Sequence, residues 1–453
     1  MNILQRIKAL WHENPILRKI AKNFGYLFSS NIISSAISML QGIFSVRLLG
    51  VAGFGTLGTI TVFATTINKL TSFRMGELVI KFVGQFHEND EKEKAAAVFK
   101  LASLTEFVAS IVAFALIWVL APFGAEFFAK DASLAPWFII YGLIILANMF
   151  SESSTGLLQF FDRFKNMAGV NILQSIVTLI LIIVAWWLKT GLQGILIAYL
   201  VGKIIHAVGL AIAAQVAAVQ VWGKRWWGAR LKSIAPNRKE LVRFAVSTNI
   251  NSTLSLISRD SIILWLSYFS VPEQVGYFKL ASALTNYIQI PMAPLPQATY
   301  PELARAVARK TWSEFKNILK QGSQIAGAYS IMVAMGLLVL GKFFIRIVYG
   351  AEMVPSYDSL IIMLLGIVFA NIVFWARSAL LSFGLADYAT KVNILVTIVS
   401  VIGYILLLPS LGHIGAAIML SIANILGNSL VVQKVFRMIK QAESESALTQ
   451  AIS

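Results

Sequence analysis

The sequence predicts an all-α polytopic membrane protein of about twelve transmembrane helices in two parallel six-helix repeats. Three observations carry that prediction. Of the 453 residues, 57% are hydrophobic and only 13% charged, with a mean hydropathy of +0.74, whereas soluble domains have about a quarter of their residues charged. Apolar stretches of the roughly 20 residues needed to cross the hydrocarbon core recur along the whole chain. The second half also repeats short pieces of the first, in order, at a nearly constant offset.

Taken in order, the apolar stretches predict spans near 24–46, 55–80, 101–120, 135–157, 169–188, 193–221, 244–269, 276–299, 321–341, 356–381, 392–409 and 413–433. Twelve spans place both termini on one side. The N-terminal segment, the even-numbered connections and the C-terminal segment together hold 27 of the 38 lysines and arginines. The opposite connections hold five: Arg47, Lys130, Lys189, Lys342 and Arg346. Basic residues collect on the cytoplasmic side, so both termini are expected in the cytoplasm. The net charge of +17 is mainly an orientation signal and does not imply a nucleic-acid partner.

These spans divide the chain into an interfacial N-terminal segment (1–22), an N-lobe (23–221), a basic cytoplasmic linker (222–243), a C-lobe (244–433) and a cytoplasmic tail (434–453). In the first segment Leu4, Ile7, Leu10 and Trp11 fall at helical spacing among Arg6, Lys8, Arg18 and Lys19. That pattern suits an amphipathic helix lying in the membrane interface, not a cleaved signal peptide. The linker mixes Trp222, Trp226 and Trp227 with seven basic residues, another interfacial composition.

The repeat is carried by Val170-Asn171-Ile172-Leu173, which returns as Val392-Asn393-Ile394-Leu395. Gly55 returns as Gly276, Gly191 and Gly194 as Gly412 and Gly415, and Ala147-Asn148 as Ala370-Asn371, while Ser30-Asn31 resembles Thr248-Asn249. Six spans per half is an even number, so both halves enter the membrane the same way. Parallel repeats of this kind imply a pseudo-twofold axis along the membrane normal, a site between the halves and alternating access by rocking.

Two apparent nucleotide motifs fail on context. Gly53-Phe54-Gly55-Thr56-Leu57-Gly58 has the spacing of a dinucleotide fingerprint but follows an apolar helix, not a strand. Its glycines are expected to make the turn between spans 1 and 2. Gly336–Lys342 resembles a P-loop, yet Phe343 stands where magnesium needs a Ser or Thr. Cysteine is absent and the four histidines are scattered, which excludes disulfides and thiolate chemistry. No constellation suggests an enzyme or a bound cofactor or metal.

Ionisable residues inside spans are costly and usually face a cavity or a partner. Here they are Lys69, Arg74, Lys203, Arg259, Lys279 and Arg377, against Glu77, Glu106, Glu152 and Asp260. The excess of bases suits an anionic substrate, since arginine binds phosphate and carboxylate through a planar donor fork. Asp260, beside Arg259, is either a coupling site for H+ or Na+ or a counter-charge. Arg74 and Glu77, three apart on one helix face, are placed to pair. The asparagines at repeat-related positions suit interhelical hydrogen bonds or the lining of a sugar path. Pro291, Pro294 and Pro296 require span 8 to bend or break, with Pro301 just beyond.

The segment Arg47-Leu48-Leu49-Gly50-Val51-Ala52-Gly53-Phe54-Gly55 resembles the turn after the first helix of oligosaccharide flippases. Val271–Tyr277 resembles the same turn opening the second half, and Tyr300-Pro301-Glu302-Leu303-Ala304 resembles the family's signal after span 8. With the spans and the repeat, the likeness to the polysaccharide-transporter (Wzx-type) branch of the multidrug/oligosaccharidyl-lipid/polysaccharide (MOP) flippase superfamily covers nearly the whole chain.

The resemblance implies a V-shaped pair of bundles in a bacterial or archaeal plasma (inner) membrane. It implies movement of undecaprenyl-diphosphate-linked oligosaccharide to the periplasmic leaflet, alongside glycosyltransferases and a polysaccharide polymerase. By span it carries over to Lys69, Arg74, Arg259 and Lys279 as cavity residues, with Asp260 and Glu77 as coupling groups or counter-charges. A cation-coupled multidrug exporter and a non-transporting membrane scaffold are the alternatives. Many multidrug relatives carry a coupling carboxylate in span 1, and residues 24–46 contain none.

The charge asymmetry makes a topological prediction. A single cysteine placed at Gly228 in this cysteine-free chain is expected to resist membrane-impermeant thiol reagents in intact cells and to react after permeabilisation. Ready labelling from outside would reverse the orientation.

Overall fold

Inside hydrocarbon no water is available to the backbone, so a spanning chain must bond its own amides and carbonyls. The computed structural model meets that demand with helices. It describes the backbone of residues 15–452, and the side chains of residues 25–444 apart from 247, 248, 250–252 and 386. No strand occurs among the described residues. The proposed interfacial pattern at Leu4, Ile7, Leu10 and Trp11 lies outside them.

In chain order the α-helices are α1 (Pro15–Thr71), α2 (Met75–Glu88), α3 (Lys92–Phe123), α4 (Ala135–Ala147), α5 (Ser151–Phe160), α6 (Phe164–Trp187), α7 (Gly191–Trp222), α8 (Arg238–Ser255), α9 (Ile262–Phe269), α10 (Pro272–Gln289), α11 (Leu295–Ala308), α12 (Trp312–Val348), α13 (Ser356–Ile372), α14 (Ala376–Ser382) and α15 (Ala386–Ile452). Segment 434–452, expected as a tail, continues α15.

Among the described residues, eight helical stretches are long and apolar enough to cross a membrane. Two of them, Gly25–Glu88 and Asp387–Ser444, run 64 and 58 residues. At 1.5 Å per residue each is long enough for two crossings of a core about 30 Å thick. Each also turns at a glycine, Gly50 (φ 64°) and Gly412 (φ 52°), a backbone region that glycine enters without steric cost. The other two predicted spans are interrupted helices. Span 7 is α8 and α9 joined by the π-helical turn Leu256–Asp260. Span 8 is α10 and α11 joined through a 3₁₀ turn at Ile290–Met292, where its prolines require a break. Twelve crossings result.

The chain packs as two compact units that do not follow sequence order. Among the described residues, the first holds 15–48 with Ile67–Ala121 and Ala135–Ile250; the second holds Leu49–Thr66, Pro122–Leu134 and 251–452. The first unit has a dry core around Phe82, Phe86, Phe99, Leu157, Leu158 and Trp226. A core in the second gathers Phe315, Trp375, Leu380, Val396 and Val435.

Within the second unit the two sequence halves meet reciprocally. A Cβ on Gly55 would lie 1.9 Å from the Pro272 carbonyl oxygen, and one on Gly276 would lie 2.4 Å from that of Val51. An offset of 221 maps Val51 onto Pro272 and Gly55 onto Gly276, so the contact is self-complementary in the manner of a twofold interface. Small residues are what allow two backbones to approach so closely. Hence the glycines at 53, 55 and 58 do not make the turn, as their spacing suggested. They lie in helix α1 after the turn at Gly50, and Gly55 and Gly58 serve close packing. Thr59 Oγ1 and Ser267 Oγ, 2.7 Å apart, add a hydrogen bond between spans 2 and 7.

Gly55→Val is therefore expected to destabilise the protein by about 1–3 kcal/mol or more, since the overlap cannot be relieved by a rotamer change. Gly228→Val, which meets nothing within 4 Å, is expected to be neutral. Thermal unfolding in detergent distinguishes the two.

Candidate functional site

Two of the acids inside spans stand where helices break. Helix α1 ends at Thr71, Arg74 takes a left-handed conformation (φ 56°, ψ 44°), and α2 starts at Met75. A break frees backbone groups that hydrocarbon cannot satisfy. Glu152, in the first turn of α5, satisfies them from outside. Its Oε1 accepts from Ser72 Oγ at 2.7 Å and its Oε2 from the Met75 N–H at 3.0 Å. Asn249 Nδ2 donates to the Ser72 carbonyl oxygen. The helices can approach because Gly76 faces Gly156; a Cβ on Gly156 would lie 2.4 Å from the Gly76 oxygen.

The next break repeats the device. Helix α4 ends at Ala147 and α5 begins at Ser151. Glu106 of α3, 9% exposed, accepts from the backbone N–H groups of Glu152 (2.7 Å) and Ser153 (3.0 Å) and from Ser153 Oγ (2.8 Å). A carboxylate at a helix N-terminus is favoured by the exposed amides and by the macrodipole. Span 3 thus caps the second part of span 4, which in turn caps the second part of span 2. The sequence showed both acids among the charges of the spans, but hydropathy and spacing did not assign them this role. The available signal was an acid in each of two adjacent apolar spans, the second four residues after Asn148.

The predicted site residues divide between the units. In the first, Lys69 is exposed in the last turn before the break, and Arg74 follows it. Arg74 Nε lies 3.6 Å from Glu77 Oε1, both side chains about half exposed; such a pair contributes little to stability. In the second unit, Arg259 and Asp260 lie exposed on the π-helical turn of span 7. Arg259 is within electrostatic reach of Asp260, Arg377 and Tyr404. A π-turn of this sort often marks a functional position. The Tyr404 hydroxyl donates to the Ser258 carbonyl oxygen at 2.5 Å and so ties the turn to α15.

Lys279, in α10, has its Nζ 3.4 Å from the Phe54 carbonyl oxygen and 4.2 Å from the centre of the Phe54 ring. Its Cδ would lie 2.8 Å from a Cβ on Gly58. Offset 221 makes Gly58 the repeat counterpart of Lys279, so the space for this cation is made by the glycine that replaces it in the other half.

The asparagines mostly bridge helices. Asn171 Nδ2 donates to Ser30 Oγ at 3.2 Å and Asn371 Nδ2 to Ser330 Oγ at 3.0 Å, while Asn148 accepts locally from Ser151 Oγ. No group of three or more His, Cys, Asp or Glu able to hold a metal occurs among the described residues.

A family described as polysaccharide biosynthesis protein matches residues 20–307. The inner membrane protein YghQ of Escherichia coli K12 is 24% identical over 362 residues, 77% of this chain and 97% of the relative. A candidate O-antigen transporter of the same strain is 29% identical over 160 residues, 34% of this chain and 36% of the relative. Among solved structures, the lipid II flippase MurJ in an inward closed conformation superposes with a TM-score of 0.70 at 16% identity, covering 94% of this chain and 92% of that one. An inward-facing multidrug resistance MATE family transporter of the MOP superfamily gives 0.67 at 16% identity, covering 91% and 96%. At these identities the structural likeness shows the fold, which flippases and exporters share.

The caps make a prediction of their own. Glu152→Gln and Glu106→Gln each turn an acceptor oxygen into a donor facing another donor, and each is expected to lower stability by about 1–3 kcal/mol. Glu77→Gln removes only a half-exposed pair and is expected to change it by less than about 0.5 kcal/mol. Thermal unfolding of the three variants checks the ranking.

Proposed function

The chain belongs to the polysaccharide biosynthesis protein family, and on that premise we propose that it is a flippase for lipid-linked oligosaccharide. It moves an undecaprenyl-diphosphate-linked repeat unit from the cytoplasmic to the periplasmic leaflet of the inner membrane by alternating access. The product serves surface polysaccharide synthesis, whether O-antigen, capsule or exopolysaccharide. The family match over residues 20–307 is the observation that carries the reading. Similarity to a candidate O-antigen transporter supports the same direction.

The charges of the spans agree with such a cargo. A diphosphate is a compact anion, and charge-assisted bonds from Lys and Arg to phosphate oxygens are strong. Lys69, Arg74, Arg259 and Lys279 are the side chains assigned to it. Both termini and the 222–243 linker face the cytoplasm in this reading, where glycosyltransferases build the substrate. A drug exporter for organic cations shares the fold but needs an acidic pocket, because like charges repel strongly at low dielectric.

Deletion is expected to abolish surface polysaccharide and leave lipid-linked oligosaccharide inside, without sensitising cells to cationic dyes. Arg259→Ala is expected to reproduce part of the export defect with normal amounts of folded protein in the membrane. Dye sensitivity with normal surface glycan would assign the protein to drug efflux instead.

A further inference from the structure

A groove of about 370 Å³ opens on the first unit, lined by Phe99 and Ser103 of α3, Phe150, Gln215 of α7, and Trp226 and Trp227 of the linker. Its walls are mainly apolar. Its linker end is aromatic and cationic. Trp226 packs on Phe99 at 5.0 Å between ring centres and on Trp227 at 5.0 Å. Lys100 Nζ stands 5.7 Å from the Trp227 ring centre and donates to the Ala229 carbonyl oxygen at 3.3 Å. A lysine ammonium carries three donors, so that bond leaves donor capacity.

Two observations say that something polar belongs there. Trp226 is only 5% exposed, yet its indole N–H has no acceptor. A buried tryptophan N–H normally finds a partner. The surrounding linker is also strongly basic: Lys224, Arg225, Arg230, Lys232, Arg238, Lys239 and Arg243 are all exposed. Its one acid, Glu240, is engaged by Lys81 at 3.2 Å. The occupant must therefore present apolar chains to the groove, and a hydrogen-bond acceptor with negative charge to its linker end.

We propose that this groove binds an anionic phospholipid, its acyl chain along α3 and α7 and its phosphate at Trp226 and Lys100. Tryptophan and basic side chains sit at headgroup level in membrane proteins, and clustered Lys and Arg select anionic lipids. Both conditions are met here at one end of the groove. None of the residues assigned to the transported substrate lines this groove, so lipid binding here does not depend on which cargo the protein carries.

The test uses the purified full-length protein in detergent, with lipid retention read by native mass spectrometry. Phosphatidylglycerol is expected to be retained in preference to phosphatidylcholine of the same chains. Trp226→Phe keeps the ring and removes the N–H; Lys100→Gln removes the charge. Each is expected to weaken phosphatidylglycerol binding by about tenfold, the loss of one hydrogen bond to a charged acceptor, and to leave phosphatidylcholine unchanged. Lys100→Gln alone decides the matter if Trp226→Phe does not fold. Equal retention of the two lipids would overturn the proposal, as would unaltered binding by Lys100→Gln or displacement of the lipid by chain-free glycerol 3-phosphate at equal concentration.

Discussion

The structure depends on one constraint: a helix that breaks inside a membrane must find partners for the amides and carbonyls it exposes. Spans 2, 4, 8 and 10 all break. In the first unit the freed amides of two breaks are satisfied by carboxylates from neighbouring helices, Glu106 for α5 and Glu152 for α2. Because Glu152 is both capped and capping, the geometry of span 2 is coupled to that of spans 3 and 4. A break held in this way has the amides it frees paired with carboxylate oxygens. Arg74, forced into a left-handed conformation at the same turn, keeps a conformation that costs of order 1–3 kcal/mol, and the bonds around it hold it there.

The second unit solves a different problem, the close meeting of two backbones. Between Val51–Gly58 and Pro272–Lys279 the separation is too short for any side chain at Gly55 or Gly276. Their agreement at offset 221 means that one local sequence pattern supplies both sides of the contact. The residue pattern is asymmetric around that shared glycine, and at Gly58 and Lys279 the asymmetry has a steric use. A duplicated element thus yields one cation where strict symmetry would place two, with the glycine providing its space.

Much of this was legible in the residues. Hydropathy and the repeat predicted twelve crossings, and the prolines of span 8 predicted its interruption. The break in span 2 was not legible, because no proline marks it. Its cause is a carboxylate 77 residues or more away in sequence, a tertiary partner that local pattern reading does not see. The glycines of residues 53–58 misled for a related reason. Glycine spacing reports that the backbone needs freedom or room, and here Gly55 and Gly58 need room while Gly50 alone makes the turn. The candidate cations could be counted, but their settings could not: Lys279 lies against Phe54, and Arg259 rides on a π-turn.

The placement of the acids sharpens the electrostatic character of the spans. A count of six bases against four acids treats every carboxylate as available to offset a cation. Glu106 and Glu152 instead have their oxygens committed to backbone N–H and hydroxyl donors, and Glu77 pairs with Arg74. An ionised carboxylate held by such donors still carries its charge, but its lone pairs are directed at the helix ends and not at a passing ligand. A cationic cargo would have to compete with bonds that keep spans 2 and 4 folded.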